Sequence, residues 1–525
     1  MEFVYLSIGL LGCAIALGFV ARRISLPFPV VLVFGGLALG FVPTMPAVHV
    51  NPDFALAFIL PPILYQAALF TSWREFYANL RPIMLLAIGL VIATTVTVAA
   101  AARWLVPDMP WAAAFVLGAI VSPPDAVAAT AILNRLRIPR RIVAILEGES
   151  LVNDATGLVA YKFAVAAVLT GTFSLAEASG NFILVGVGGV AVGLALGWLF
   201  IRLHHFVRDV MLEISLSLIE PFVAYLVAES LHVSGVLAVV TAGLLRGWHA
   251  PEVFSPRARI QGYTVWAVIV FLLHSAVFIL IGLELAEILD RLADRSGGAL
   301  LINAAVISLV AIAVRFAWVF PATYVPRWLS PRLREVDPAP PWQHTVIISW
   351  CSMRGIVSLA AALALPYTIH AGGWFPARDS IVFLSFSVIF VTLVVQGMTL
   401  APLIRWLGVG SDGSEDEEER QARIKTAYAA IAELDRLSDS AQFDGAVLRA
   451  VRVEYQGRIN DWEEVKAART SGNLAGTTEL RRAVRLRVIA AERRRLIKLR
   501  RDRAIGDDVL HRIQRELDLA ELRLS

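Results

Sequence analysis

Apolar runs of about 20 residues recur through the first four hundred residues of this 525-residue chain, separated by short polar stretches. A run of that length can cross the ~30 Å hydrocarbon core of a bilayer as a helix. Hydrophobic residues make up 57% of the whole sequence, a larger share than soluble globular domains carry. The pattern predicts an all-α polytopic membrane protein.

The distribution of arginine tests the number of spans, which we count as thirteen. If the polar C-terminal region is cytoplasmic, thirteen spans place the N-terminus outside. Sixteen arginines then fall at the inner side and four at the outer side, as the positive-inside rule requires. The predicted limits of the spans are 3–20, 26–42, 54–70, 83–102, 111–133, 142–169, 182–201, 210–231, 233–245, 264–286, 300–320, 345–366 and 381–403.

Two regions of different composition follow one another along the chain. Residues 1–408 hold the apolar segments and predict a transmembrane domain. Residues 409–525 hold an acidic run at 415–419, helical periodicity and arginine-rich stretches, which predict a charged helical tail in the cytoplasm. This tail is either a solvated appendage or a basic helix that contacts anionic membrane lipid.

The net charge of +4 and the two well-separated cysteines add little. They indicate no nucleic-acid partner, no disulfide framework and no metal-binding spacing. We therefore expect no cofactor. An enzyme is disfavoured, because the chain has neither an HExxH nor a GxSxG motif.

Asp154 lies inside the sixth span, and charged groups at membrane depth are costly enough that they usually serve a function. Ser150 lies four residues earlier and shares its helix face. A hydroxyl and a carboxylate together suit a small hard cation that prefers oxygen ligands. A carboxylate can instead hold a proton, so the same site can hold either ion in turn, which is the minimum needed to exchange them.

Two further polar interruptions fall at the depth of Asp154 when each span is counted at about 1.5 Å per residue. They are Ser122-Pro-Pro-Asp125 in the fifth span and Cys351-Ser-Met-Arg-Gly355 in the twelfth. Paired prolines break the helical hydrogen-bond ladder and glycine weakens it, so both spans are predicted to be broken helices at a transporter's midplane site. Asp125 and Arg354 would balance the opposite dipole ends of the half-helices. A simple kink, and a purely capping role for Asp125, are the alternatives.

Glu149 and Arg315 are expected to pair, because they lie at similar depth and a lone buried charge costs several kcal/mol. Lys162 is expected near the outer surface. Glu220 belongs either to an ion funnel or to a helix contact. A stripe of small residues in the seventh span predicts close helix packing and consists of Gly189, Gly193 and Gly197.

The run Glu147-Gly-Glu-Ser-Leu-Val-Asn-Asp154, with the breaks before and after it, resembles the sodium/proton exchanger type of monovalent cation/proton antiporter of bacteria. Ile281-Gly-Leu-Glu284 and Val395-Gln-Gly-Met398 are similar to phrases of the same family. The resemblance covers about residues 1–405 and leaves the tail out.

The resemblance implies an inverted-repeat fold of about thirteen helices, a homodimer and an elevator movement of the bundle that holds the broken, crossing spans five and twelve. It implies that Asp154 is the exchanging carboxylate, that Ser150 and the backbone carbonyl of Pro124 are further cation ligands, and that Asn153 supports them. Glu149 and Arg315 appear in the family pattern as an ion pair. The Asn-Asp pair resembles the electroneutral branch, in which one cation replaces one proton.

Two departures from the family pattern bear on the choice of cation. Pro124-Asp-Ala126 stands where the family often has Thr-Asp-Pro, so the threonine hydroxyl is lost while Pro124 keeps its backbone carbonyl. Gln66 stands where some relatives carry glutamate, and an amide accepts a hydrogen bond without adding charge. The expected partners are H⁺ and Na⁺, with K⁺ and Li⁺ open, in a cell-membrane protein that serves pH homeostasis. A K⁺/H⁺ antiporter, a cation channel and a non-transporting membrane sensor are the alternatives.

Overall fold

The computed structural model describes the chain except for residues 1, 25–26, 43–54, 137, 172–174, 208, 292–296, 370–372, 411–412, 440–443, 471–473, 502–512, 514–515, 518 and 522–525. Across the described residues the regular structure is helical, and the one extended pairing is an isolated bridge between Thr368 and Trp374. The predicted all-α fold is confirmed. The chain forms two compact units, Met1–Ser411 and Asp412–Ser525.

The helices of the first unit are α1 (Glu2–Ile24), α2 (Phe28–Gly40), α3 (Leu60–Phe70), α4 (Trp73–Ala78), α5 (Leu80–Leu105), α6 (Trp111–Val121), α7 (Val127–Leu136), α8 (Arg140–Thr170), α9 (Leu175–His204), α10 (Val210–Ser230), α11 (Gly235–Val253), α12 (Pro256–Arg291), α13 (Gly297–Leu329), α14 (Pro331–Val336), α15 (Trp342–Trp350), α16 (Ile356–Leu363) and α17 (Arg378–Leu407). A π-helical turn, Ala55–Ile59, precedes α3. Further π-helical turns lie inside α5 and α17.

Each predicted apolar segment overlaps one of these helices or a pair of half-helices. Within the described residues, seven helices are long and apolar enough to cross a membrane in one piece: α5, α8, α10, α17, and the main parts of α9, α12 and α13. The count of thirteen spans stays a prediction, because the remaining segments do not meet these criteria within the described residues. Three arginines used for the orientation, Arg137, Arg208 and Arg295, lie outside the described residues.

Several helices extend beyond the predicted spans: α12 begins at Pro256 rather than at residue 264, and α13 ends at Leu329 rather than at residue 320. The end of α11 differs as well, and there the difference concerns a buried charge. The ninth segment was expected to end at residue 245, with Arg246 in a cytoplasmic loop. Instead α11 continues to Val253, and Arg246 is fully buried inside it. The length of the apolar run predicted a helix end that is too early. The helix continues past Arg246 because the buried carboxylate of Glu220 partners this charge.

The helices of the first unit pack in two groups. We call α1–α3 with α9–α12 the scaffold group, and α5–α8 with α13 and α15–α17 the core group. Glycines allow close approach within the scaffold group: a Cβ on Gly189 would lie 2.5 Å from the Ser234 carbonyl, and one on Gly193 would lie 2.4 Å from the Ala238 carbonyl. Both carbonyls belong to the start of α11, so the close packing predicted from the glycine stripe is confirmed.

The second unit contains α18 (Ser414–Asp439), α19 (Gly445–Thr470) and α20 (Leu474–Arg501). The acidic run opens α18, where Glu417 pairs with Arg420 and Glu419 with Arg423 in the next turn. The Arg423 guanidinium also lies 4.9 Å from the ring centroid of Trp462 on α19. The helical character predicted for this region is confirmed.

Candidate ion-binding site

Two interrupted helices of the core group meet where the sequence predicted helix breaks. One runs as α6 and α7 with a gap between Val121 and Val127, and the other runs as α15 and α16 on either side of 351–355. The backbone N–H of Asp125 donates to the Met353 carbonyl at 2.7 Å, so the two gaps are in direct contact. A Cβ on Gly355 would lie 1.7 Å from Asp125 Oδ2, so the contact needs glycine there.

Charged side chains satisfy the half-helix ends that the breaks expose. Asp125 Oδ1 accepts a hydrogen bond from the Val127 N–H at 2.8 Å and so caps the start of α7. Arg354 Nε donates to the Val121 carbonyl at 2.9 Å, at the end of α6. The negative group therefore lies at a helix N-terminus and the positive group at a C-terminus, which is the favourable arrangement for both dipoles.

The long helix α8 contacts the break between α6 and α7 through Asn153 and Ser150. Asn153 Nδ2 donates to the Pro124 carbonyl at 2.8 Å, and Ser150 Oγ accepts from the Ala126 N–H at 3.4 Å. Each of these acceptor oxygens keeps a second lone pair. Pro124 O and Ser150 Oγ can therefore each still coordinate a cation.

Asp154 differs from Asp125 and Glu149, whose carboxylates have protein partners. It is 7% exposed, and it accepts no hydrogen bond and forms no ion pair with any residue that the structure describes. A buried carboxylate without a protein partner is costly, and a bound ion would offset that cost. Glu147 also lacks such a partner among the described residues but is only partly buried, so Asp154 is the buried carboxylate of this group whose charge is left for a ligand to neutralise.

A cavity of about 270 Å³ lies against Asp154. This volume holds several water molecules at about 30 Å³ each and is ample for a cation that keeps part of its hydration shell. The cavity lies between the two helix groups. Its polar lining comprises Asp125, Thr130, Glu147, Ser150, Asp154 and Ser358 from the core group, and Gln66, Thr71 and His274 from the scaffold side.

Glu149 and Arg315 form a buried ion pair beside the site. The Arg315 NH1 and NH2 groups donate to the two Glu149 oxygens at 2.5 and 2.7 Å, and each residue is 1% exposed. Arg315 Nε also donates to the Ile348 carbonyl on α15 at 3.0 Å. Neither side chain lines the cavity, so the pair joins α8 to α13 and α15 without adding charge to the site.

Glu147 is a cavity residue to which the sequence reasoning gave no role. It lies three residues before Ser150 and seven before Asp154, which places all three on one face of α8. This i, i+3, i+7 spacing was visible in the sequence.

Two other polar residues lie away from the cavity. Lys162 Nζ is 3.0 Å from Glu229 Oε2, in a pair whose side chains are 59% and 34% exposed. Glu220 is fully buried, accepts a hydrogen bond from the Tyr65 hydroxyl at 2.8 Å and lies 3.6 Å from Arg246 NH1. Its partners lie on α3 and α11, which favours the helix-contact interpretation of Glu220 over the funnel.

Comparison with known proteins adds to this geometry. The family model described as "Sodium/hydrogen exchanger, transmembrane" matches residues 9–406. The chain is 36% identical over 502 residues to an uncharacterized Na⁺/H⁺ exchanger of Mycobacterium tuberculosis, covering 94% of this chain and 91% of that protein. It is 31% identical over 508 residues to a sodium, potassium, lithium and rubidium/H⁺ antiporter of Bacillus subtilis, covering 95% of this chain and 74% of that one.

The fold also resembles a solved structure. The sodium proton antiporter MjNhaP1 from Methanocaldococcus jannaschii superposes with a TM-score of 0.57 over 78% of this chain and 99% of that one. The two sequences are 19% identical, so the likeness concerns the fold.

Proposed function

Because the chain belongs to the sodium/hydrogen exchanger family of multi-pass membrane antiporters, which are transporters rather than enzymes, we propose that it exchanges Na⁺ for H⁺ at Asp154. The observation that carries this proposal is the buried Asp154 carboxylate, which has no partner among the described residues and faces a cavity beside the two helix breaks. Proton release frees this carboxylate for Na⁺, with Ser150 Oγ and the Pro124 carbonyl as further oxygen ligands.

The charges around the site support an electroneutral exchange of one cation for one proton. The charge of Glu149 is neutralised within its bidentate pair with Arg315. The Asp125 carboxylate is engaged at the start of α7. Asp154 is then the group that alternates, and it carries the same net charge with Na⁺ bound as with H⁺ bound. Glu147 is the third cavity carboxylate, and it would be the second proton carrier if transport moved net charge.

The position of the cavity supports elevator-type alternating access. Asp154 and both helix breaks belong to the core group, whereas Gln66 and His274 face them from the scaffold group. Movement of the core group along a fixed scaffold group would carry the site from one side of the membrane to the other. In this proposal two scaffold groups form the homodimer, the N-terminus lies outside and the tail lies in the cytoplasm.

K⁺/H⁺ antiport is the second candidate, because the scaffold wall of the cavity carries the neutral amide of Gln66. A neutral amide at this position gives the cavity a lower field strength than a glutamate would, which weakens the preference for the smaller cation. A relative from Bacillus subtilis is named as an antiporter of sodium, potassium, lithium and rubidium. Selectivity is thus a property to be measured.

Exchange in proteoliposomes tests the proposal. Outward gradients of Na⁺, K⁺ and Li⁺ are applied separately at several pH values, and proton movement is read from a pH-sensitive dye. Wild-type protein should couple cation flux to proton flux, and Asp154→Asn should abolish this coupling while it elutes and melts as a folded protein. Asp379→Asn is the matched control, because Asp379 is exposed at the start of α17.

Three outcomes would overturn the proposal. Near-normal exchange by Asp154→Asn would show that another group carries the ions. Cation flux without any proton movement in the wild-type protein would favour a channel. Absence of both cation flux and proton flux would favour a non-transporting sensor.

A further inference from the structure

A second and larger cavity lies on the other side of α7 from the ion-binding site. It is a crevice of about 1020 Å³ between the two helix groups. Its walls are mostly apolar, and the side chains that surround it include Ile15, Phe19, Phe28, Phe271 and Met398. Phe28 and Phe271 stack at 5.2 Å between ring centroids, whereas Phe19 is 70% exposed at the rim.

Two arginines interrupt this apolar lining. Arg135 lies in the last turn of α7 and Arg405 in the last turn of α17, so both come from the core group. Within the part of the chain that the structure describes, neither guanidinium donates a hydrogen bond or joins an ion pair. Both helices run toward the predicted cytoplasmic side. The two charges therefore lie at headgroup level, at the cytoplasmic end of the apolar crevice.

These two features fit one ligand chemistry. Acyl chains fill an apolar crevice that is open to the bilayer, and a phosphate at its polar end pairs with guanidinium groups. Basic pockets between membrane helices on the cytoplasmic side have this composition when they bind anionic headgroups. A soluble phosphate would satisfy the arginines but would leave the apolar walls uncovered.

The crevice is placed to affect transport because one ten-residue helix separates it from the ion-binding cavity. On α7, Val127 and Thr130 line the ion-binding cavity, whereas Ile132 and Arg135 line the crevice. The same helix begins at the Asp125 cap. A ligand held at Arg135 therefore acts on the half-helix whose other end forms the site.

We propose that this crevice is a binding site for an anionic phospholipid, held by Arg135 and Arg405, which sets the exchange rate by fixing the position of α7. This inference adds a regulatory ligand to the exchange described above and rests on it only for the transport readout. The lipid binding itself is independent of the identity of the transported cation.

Binding is tested first, on the full chain in detergent. Phosphatidylglycerol should raise the melting temperature of the wild-type protein, whereas phosphatidylcholine, glycerol phosphate and inorganic phosphate should leave it unchanged. The Arg135→Gln/Arg405→Gln variant should bind phosphatidylglycerol on the order of 30-fold more weakly, the factor expected when two basic residues are removed. Equal stabilisation by inorganic phosphate would overturn the lipid assignment in favour of a free anion.

Transport is tested second, as the ratio of exchange rates in vesicles with 20% phosphatidylglycerol to those in pure phosphatidylcholine. This ratio should be several-fold for wild type and near one for the double variant. Arg332→Gln/Arg334→Gln is the matched control, because both arginines are exposed on α14. Their substitution removes the same two positive charges as the Arg135/Arg405 variant does. The control should keep the wild-type ratio.

The outcomes separate this inference from the proposed exchange. A rate ratio in the Arg135/Arg405 variant equal to that of the wild type would overturn the lipid site. An equal fall of the ratio in the Arg332/Arg334 control would also overturn it, because the effect would then reflect only the total surface charge. Absence of exchange in every lipid would instead overturn the exchange proposal. The melting measurements would still decide whether the lipid site exists.

Discussion

Loss of the buried Glu149–Arg315 pair should be the most destabilising simple change near the ion-binding site. Arg315→Ala removes three hydrogen bonds, two to the Glu149 carboxylate and one to the Ile348 carbonyl. It also leaves the Glu149 charge buried at 1% exposure with no partner. The penalty arises mainly from that uncompensated charge, because the pair itself contributes little net energy.

The expected cost of Arg315→Ala is roughly 3–5 kcal/mol, the range found when one partner of a buried pair is removed. Glu149→Gln with Arg315→Met should cost less than the single change, since no charge is then stranded. Lys162→Ala is the control, because its pair with Glu229 is 59% and 34% exposed. An exposed pair of this kind contributes about 0–1 kcal/mol.

Thermal melting of the purified protein in detergent, followed by tryptophan fluorescence, measures these differences. The melting temperature should fall by several degrees in Arg315→Ala, recover partly in the double variant and barely change in Lys162→Ala. A reversed pair, Glu149→Arg with Arg315→Glu, should recover part of the loss. If Arg315→Ala melted like the wild type, or if the double variant were no more stable than the single one, the stranded-charge reasoning would be refuted.

Three further predictions follow from the same structure. An imposed membrane potential should neither drive nor stall exchange in proteoliposomes, and a voltage-dependent rate that disappears in Glu147→Gln would show Glu147 to be a second proton carrier. Truncation after residue 408 should preserve exchange but shift its pH or cation dependence, and complete loss of transport in a folded truncation would place the tail in the mechanism. Gly193→Val should lower the melting temperature because its Cβ would lie 2.4 Å from the Ala238 carbonyl, whereas Gly9→Val should be tolerated since no atom lies within 4 Å of its Cβ.

The local features of the candidate ion-binding site were predictable because each depends on a few consecutive residues. Ser122-Pro-Pro-Asp125 breaks its helix wherever that helix lies, since proline cannot donate the backbone hydrogen bond. The spacing of Ser150 and Asp154 places them on one face of any helix. Depth counting also brought Glu149 and Arg315 to one level, and the structure places them in contact.

The incorrect prediction for Arg246 has a different physical cause. Arg246 was assigned to a loop because a charge at the end of an apolar run usually marks the membrane surface. Its burial depends on Glu220 and Tyr65, which come from two other helices and lie far away in the sequence. Glu147 is a different case, because its spacing from Ser150 and Asp154 already places it on their face of α8.

The sequence by itself determined that the chain crosses a membrane repeatedly, where its helices break and which carboxylate lies at the breaks. A bilayer imposes one length and one polarity on every span, so these properties can be read segment by segment. Only the tertiary structure decided which charges meet: Glu149 is neutralised by Arg315, whereas Asp154 has no partner among the residues that the structure describes. It also decided that the arginine-lined crevice lies behind α7. Those outcomes depend on how helices rotate and pack against one another, which is set by contacts between residues far apart in the chain.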